Sequence, residues 1–411
     1  MRLEITDLTR RFGGATAVDR ISLAVAPGEV VCLLGPSGCG KSTTLRIAAG
    51  VDRQDSGLVR VDGEVMSDDR THRPPEKRSV GLMFQDFALF PHLSVLDNVA
   101  FGLTGVDKRA RALDTLSRVG LADRAAAYPH NLSGGEQQRV ALARAIAPKP
   151  KVMLMDEPFS SLDHRLRDSV RDEALSLLKQ DGAAVLLVTH DPEEAMRMAD
   201  RIALMRDGEI VQIGAPYHLY NNPVDRLAAA FFSDLNIIHG VVRDRQTETP
   251  FGRFLTPRLV DGADVEIIVR PQHLKVDLAS DGQPPASAAN GAPARGVVTR
   301  ARFMGAHSLI EARMDHDGEV LSATIPGAFL PPEGEPVWLS LRRDRCFVFP
   351  CAYQSRTPWP YFEPEPAGRR PDAPVPARFR SDEGGETRIP QGAPGAYLML
   401  EDVERPPLGS A

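Results

Sequence analysis

The nine residues Gly35-Pro36-Ser37-Gly38-Cys39-Gly40-Lys41-Ser42-Thr43 constrain the fold of this chain more than any other feature. They fit G-x-x-x-x-G-K-[ST] and stand between an apolar β-like run, EVVCLL, and a helical stretch, KSTTLRIAA. In that context a glycine-rich loop turns its backbone N–H groups inward around phosphate oxygens, and the helix start adds the positive end of its dipole. Lys41 then reaches the β- and γ-phosphates, and Ser42 can ligate Mg²⁺. Cys39 is either a thiol activated by the helix terminus or an inert small residue.

Around this loop the pattern to about Phe232 alternates strand-like runs (Val30 to Leu34, Val80 to Phe84, Val152 to Met155, Ala184 to Val188) with helical ones (Lys41 to Ala49, Lys108 to Val119, Ser133 to Ile146, His164 to Lys179). Such alternation predicts an α/β domain on a largely parallel sheet. From Asn236 to Phe349 short alternating runs replace it, which predicts a small β-barrel. Residues Ser280 to Arg295 are too polar and Pro-rich to pack and read as a loop inside that barrel. Of the 34 prolines, eleven fall in the last sixty residues together with six glycines. The expected division is therefore 1–232, 236–350 and a Pro-rich, disordered tail over 352–411.

Composition narrows the partners. The chain has 411 residues and a net charge of −6 without a basic block, which argues against a sequence-wide nucleic-acid or membrane footprint. No apolar run approaches the roughly 18 residues of a spanning helix. The start MRLEITDLTRR lacks an apolar core like that of a signal peptide, and four cysteines do not make a disulfide framework, so a reduced, cytoplasmic setting is expected. The remaining histidines show no metal-ligand spacing, and Cys346-x₄-Cys351 lacks a second ligand pair, so the sequence predicts no zinc site.

A second acidic feature is Val152-Met153-Leu154-Met155-Asp156-Glu157, four apolar residues and then two carboxylates at the end of a buried strand. Carboxylates there need a compensating cation: Asp156 can hold the Mg²⁺ shared with Ser42, and Glu157 can orient or deprotonate a water at the γ-phosphate. Between the two features lies Leu132-Ser133-Gly134-Gly135-Glu136-Gln137-Gln138-Arg139. Ser133 is a natural N-cap, and Gly134 and Gly135 allow close backbone approach, so the segment presents donors and a positive helix end to an anion.

With LSGGEQQRV in place, the chain resembles the nucleotide-binding subunits of ABC transporters over residues 1 to 232. Gln85 in LMFQD, Ser160-Ser161-Leu162-Asp163 and His190 in LVTHD follow in that family's order, and Phe12 in RRFGG matches its adenine-stacking aromatic, most often a tyrosine. The resemblance implies a P-loop NTPase cassette with a helical subdomain, binding ATP and Mg²⁺. It further implies a head-to-tail homodimer in which LSGG of one copy caps the γ-phosphate held by the other. Asp163 would cross that interface, Gln85 would reach Mg²⁺ and the attacking water, and His190 would contact the γ-phosphate.

The apolar segment Asp86-Phe87-Ala88-Leu89-Phe90-Pro91-His92-Leu93 is a candidate protein contact, and the resemblance makes Phe87 to Leu93 the socket for a coupling helix of a membrane permease. Ile268-Val269-Arg270-Pro271-Gln272-His273-Leu274 and Phe303-Met304-Gly305-Ala306-His307 resemble stretches of the OB-like accessory domain of type I importer ATPases for sugars, polyamines, sulfate, thiamine and ferric iron. An importer ATPase, peripheral on the cytoplasmic face of the inner membrane and served indirectly by a solute-binding protein, is thus expected. Ferric iron is its first expected cargo and polyamine its second. The alternatives are a sugar, sulfate or thiamine importer, or a soluble mechanochemical or regulatory ABC protein without a permease. A small-molecule kinase would leave LSGGEQ and His190 without a role.

Overall fold

The computed structural model describes residues 1–84, 87–159, 164–257, 259–278, 284–285, 292–351, 378–380, 386–388 and 396–397, with side chains except those of 164–170, 173 and the three last segments. Backbone packing divides the chain into two units, Met1–Asn221 and Asn222–Ala411. Among the described residues no helix is long and apolar enough to cross a membrane.

The first unit opens with an antiparallel sheet of order β2-β1-β4-β5, built from β1 (Leu3–Phe12), β2 (Ala15–Val25), β4 (Ser56–Val61) and β5 (Glu64–Ser67), with β3 (Val30–Leu34) and α1 (Lys41–Ala49) inserted between β2 and β4. The sequence pattern does not show this sheet. Register shifts between Ile5 and Leu8 and between Leu8 and Arg10 break the alternation of β1, because Asp7 sits at φ 48° and a bulge throws one residue out of phase. A second sheet has the order β10-β9-β3-β8-β7-β6, with β6 (Val80–Met83), β7 (Val152–Asp156), β8 (Ala184–Thr189), β9 (Arg201–Arg206) and β10 (Glu209–Gly214). From β9 to β6 every neighbour pair is parallel, and β10 is an antiparallel edge. The strands β3 and β8 are buried throughout, as expected where both faces of a parallel sheet are covered.

Helices α2 (Val95–Ala100), α3 (Lys108–Arg118) and α4 (Gly134–Ile146) pack on one another, and α5 (His164–Gln180), α6 (Pro192–Met198) and α7 (Pro216–Asn221) complete the unit. Arg78, fully buried, donates from Nη1 to the carbonyls of Ile47 and Ala48 and from Nε to that of Arg73. It thereby closes the carboxyl end of α1, where carbonyls lack helical partners. Burial pulls its guanidinium down to about 10, and this cation is carried by carbonyl dipoles.

In the second unit α8 (Arg226–Phe232), which the sequence reading places with the first domain, pairs Arg226 with Glu266. Two sheets follow. One has the order β13-β12-β11-β14-β20-β23, with β11 (Asn236–Arg243), β12 (Gln246–Thr249), β13 (Gly252–Leu255), β14 (Asp264–Val269), β20 (Phe347–Pro350) and β23 (Ala396–Tyr397). The other has the order β15-β19-β16-β17-β18, with β15 (Leu274–Leu278), β16 (Ala294–Phe303), β17 (His307–Met314), β18 (Val320–Pro326) and β19 (Pro336–Leu341). One apolar core, from Ile238, Phe251 and Phe254 to Ile310, Leu339 and Val348, is shared by both sheets, the OB-like arrangement. Most of the expected 280–295 loop and of the tail lies outside the described residues. Of the tail, only β21 (Arg378–Arg380), β22 (Glu386–Arg388) and β23 are described, β21 paired with β22 and β23 with β20.

Candidate functional site

The strands β3, β8 and β7 are adjacent and parallel, with Leu34 beside Thr189 and Val188 beside Asp156. Three loops therefore leave the sheet side by side: Gly35–Gly40 after β3, Asp156-Glu157 at the end of β7, and His190 after β8. Strands about 4.8 Å apart bring residues distant in the chain within hydrogen-bond reach, and the carboxyl ends of such sheets are where ligands bind.

The loop after β3 is shaped by close approaches. A Cβ on Gly35 would lie 2.2 Å from the Met205 carbonyl oxygen, and one on Gly40, at φ 102°, equally close to that of Ala17. Gly40 also starts α1 without a side-chain cap, whereas Ser94, Ser133 and Asp191 cap α2, α4 and α6. The first-turn N–H groups of α1 thus face an incoming anion. Lys41 is buried and its Nζ donates to the carbonyls of Gly35 and Pro36 at 2.8 and 2.9 Å. Cys39 is buried as well, and burial pushes its thiol above the ordinary value although Lys41 pulls the other way. Of the two readings left open for Cys39, the raised thiol favours the inert small residue.

Ser42 Oγ donates to Asp156 Oδ1 at 3.0 Å, bridging α1 and β7 across the position of β8. Burial holds the Asp156 carboxyl above its ordinary 3.8; the Ser42 bond opposes the shift and Glu157 adds to it. A hydroxyl and a carboxylate reluctant to stay charged unpaired are an oxygen donor set that fits Mg²⁺. Glu157 stands at φ 46°, which turns its side chain so that Oε1 lies 2.8 Å from His190 Nδ1. With Glu157 ionised, Nδ1 carries the proton and donates it. The turn bearing His190 is fixed by Asp191, whose Oδ1 accepts from the N–H groups of Glu193 and Glu194. Asp191 is outside the motifs above, although D-P-E-E after an apolar run is a helix-start signature.

Among the described residues, the hydrogen bonds of the Gly35–Thr43 loop reach neither Phe12 nor Ser133–Gly135. Phe12 ends β1, 47% exposed, with the Arg10 guanidinium 4.5 Å above its ring. Ser133 caps α4 in a full capping box: its Oγ accepts from Glu136 N, and Glu136 Oε2 accepts from Ser133 N. Those bonds hold the Glu136 carboxyl below its ordinary value. Ser133 and Gly134 are exposed, and a Cβ at Gly134 would meet nothing within 4 Å, so a second molecule has room above this helix start. Gln85 and Asp163 lie outside the described residues.

The segment after Gln85 is held by two residues that carry no local sequence signal. Arg144 on α4 donates to the carbonyls of Phe87 and Ala88 at 2.8 and 2.7 Å, where both residues have positive φ. Buried Asn98 exchanges hydrogen bonds with the Phe90 backbone and donates to the Leu93 and Ser94 carbonyls. Phe90 packs on Phe101, ring centroids 4.4 Å apart, and Phe101 is 64% exposed. The result is a fixed apolar surface of the first unit.

A glycine-walled loop, a Ser–Asp pair and a Glu–His pair stand on the carboxyl ends of adjacent parallel strands, an arrangement that fits a nucleoside triphosphate. Comparison with known proteins narrows the class. Residues 18–160 match the family model for ABC transporters, and residues 267–349 match that for the TOBE domain. The putrescine transport ATP-binding protein PotG of Escherichia coli is 38% identical over 82% of this chain and 90% of its own length. A sulfate/thiosulfate import ATP-binding protein, CysA 2, of Chromobacterium violaceum is 44% identical over 67% and 75%. An Fe(3+) ions import ATP-binding protein, FbpC, of Mesorhizobium japonicum is 41% identical over 76% and 87%. The chain belongs to the ABC transporter family, among the ATP-binding subunits of type I importers, which hydrolyse ATP to drive transport.

Proposed function

We propose that this ATPase works as a head-to-tail homodimer, with Mg²⁺, on a separate membrane permease, and that its cargo is ferric iron or, second, a polyamine. The observation that carries the site assignment is the contact of Ser42, in the Gly35–Thr43 loop, with Asp156, next to which Glu157 meets His190. The loop N–H groups of Gly35, Ser37, Gly38, Cys39 and Gly40, with Pro36 shaping the turn and with Lys41 and Thr43, bind the phosphates, and Phe12 stacks on the base once Arg10 gives way. Ser42 and Asp156 hold Mg²⁺, assisted by Gln85. Bound there, the ion neutralises charge on the phosphate oxygens.

Glu157 takes the proton of the attacking water, and His190, oriented through Nδ1, contacts the γ-phosphate by donating from Nε2–H in the form of the ring that carries both protons. The exposed start of α4, Ser133-Gly134-Gly135, meets the phosphate site of the second copy, with Asp163 crossing between copies. ATP then contributes directly to the dimer interface. The Phe87–Leu93 surface takes the permease, which places the protein peripherally on the cytoplasmic face of the membrane. The solute-binding protein acts through that permease, and no nucleic acid is involved. Of the relatives named above, those for iron and putrescine support these cargoes, and the sulfate/thiosulfate relative supports the alternative of a sulfate importer. The division into 1–232, 236–350 and 352–411 assigns hydrolysis and coupling to the first part.

The test is co-purification from membranes with the permease, followed by ATPase measurement with ferric iron, putrescine and sulfate presented on their binding proteins. Stimulation by iron or putrescine is expected. Stimulation by sulfate alone overturns the cargo, and failure to associate with any membrane protein overturns the permease.

A further inference from the structure

We propose that His239, Glu266 and Cys351 form a binding site for a divalent transition metal of the zinc class on the second unit. The three side chains converge through strand register. His239 on β11 stands opposite Glu266 on β14, and Glu266 stands opposite Phe349 on β20. Cys351 follows two residues after Phe349, so strand alternation returns it to the same face. The imidazole nitrogen, carboxylate oxygen and thiol sulfur lie within 4.8 Å of one another. Bonds of about 2.0–2.3 Å to a tetrahedral ion place its ligands roughly 3.5 Å apart, a spacing that small side-chain rotations reach.

The donor set decides which ion fits. One nitrogen, one oxygen and one sulfur suit a borderline ion such as Zn²⁺ and disfavour Mg²⁺ or Ca²⁺, which take oxygen ligands. The site is therefore chemically distinct from the Ser42–Asp156 pair. Glu266 is buried, and Arg226 Nη1 lies 3.3 Å from its Oε1, which leaves the second carboxylate oxygen for an ion. His239 is exposed and Cys351 half-buried, so ions reach both from solvent. Beside them opens a pocket of about 420 Å³ lined by His239, Gly240, Val241, Asp264, Val265 and Cys351. It has room for a water as fourth ligand, with the Asp264 carboxylate in its wall.

Burial, then Glu266 and Asp264, raise the Cys351 thiol above its ordinary value, while Arg226 pulls it down. The same two carboxylates that disfavour a bare thiolate favour a cation beside it. Binding replaces the S–H bond by an S–metal bond and releases one proton to solvent, so affinity rises with pH.

Co²⁺ titration of the full chain, free of nucleotide and Mg²⁺, tests the site. One ion per chain is expected, with a near-ultraviolet sulfur-to-cobalt charge-transfer band that Zn²⁺ abolishes by displacement. Cys351→Ser should remove the band. His239→Gln, at an exposed position, should weaken binding at least about tenfold. Cys346→Ser should keep the band, because that thiol is buried and bonded to the Arg342 carbonyl. Absence of the band, its survival in Cys351→Ser, or unchanged affinity in His239→Gln overturns the site and leaves the cluster as packing around the Arg226–Glu266 pair.

Discussion

Replacing Glu157 by Gln separates charge from shape at the proposed catalytic base. The amide has the carboxylate's size, and its oxygen still accepts from His190 Nδ1, the contact now at 2.8 Å. The left-handed backbone at residue 157 is as tolerable for Gln as for Glu. Lys41, the Gly35–Gly40 loop and the Ser42–Asp156 bond are untouched. What disappears is the capacity to take a proton, which contributes about 10²- to 10⁴-fold to a hydrolytic step, or roughly 2.7–5.4 kcal/mol at 1.36 kcal/mol per tenfold. The rate of phosphate release should fall by that factor at unchanged ATP affinity. Hydrolysis would no longer reopen the dimer, so light scattering in saturating ATP should show a stable two-chain mass. If Glu157 and His190 act as one unit, adding His190→Ala to Glu157→Gln should cost little more than the worse single change. A rate within tenfold of the parent, a monomer in saturating ATP, or full additivity of the two losses would refute the assignment.

Three further outcomes are expected. In the metal-free protein the raised Asp156 value means that its stability contribution is full below about pH 3.8 and is lost as pH rises through the folded value. A bound cation reverses the preference, so Mg²⁺ activation should fail on acidification earlier than an ordinary aspartate would dictate. Ser42→Ala, which removes the bond that lowers Asp156, should move that failure to still higher pH in Mg²⁺ titrations, and a move downward would contradict the pairing. Arg78→Met strips the donors from the carboxyl end of α1 and should cost about 2–4 kcal/mol, read as a thermal midpoint lower by roughly 10 °C; a shift under about 2 °C would show that the carbonyls find other partners. Arg144→Ala releases the Phe87 and Ala88 carbonyls and should weaken permease association while leaving ATP hydrolysis by the separate chain within about twofold; equal loss of both would place Arg144 in catalysis.

Much of the site was readable along the chain because its chemistry depends on short contiguous runs. Gly35 to Thr43 needs a strand before it and a helix after it, and both fall where the apolar run EVVCLL ends and the helical stretch KSTTLRIAA begins. Ser133 with Glu136 three residues on is a capping box in sequence and in structure. Asp156 and Glu157 close an apolar run that could only be a covered strand. These features are local, set by backbone conformation and hydrogen bonds over a few residues, so their order in the chain carries the information.

Other features were not readable because they join residues through pairing or packing. Bulges hid the β1–β2 sheet by upsetting its period of two. The shift of the Cys39 thiol depends on how deeply the loop is buried, and burial there outweighs the pull of Lys41. Arg144 and Asn98 look like ordinary helical residues until the Phe87–Leu93 segment lies against them. His239, Glu266 and Cys351 have no common spacing in the chain, and strand register alone sets them within 4.8 Å. The sequence by itself determined the class of chemistry, the order of its motifs and the fold class that carries them. Tertiary structure decided which side chains meet and what burial does to their charge, because contact and desolvation depend on neighbours that linear order does not specify.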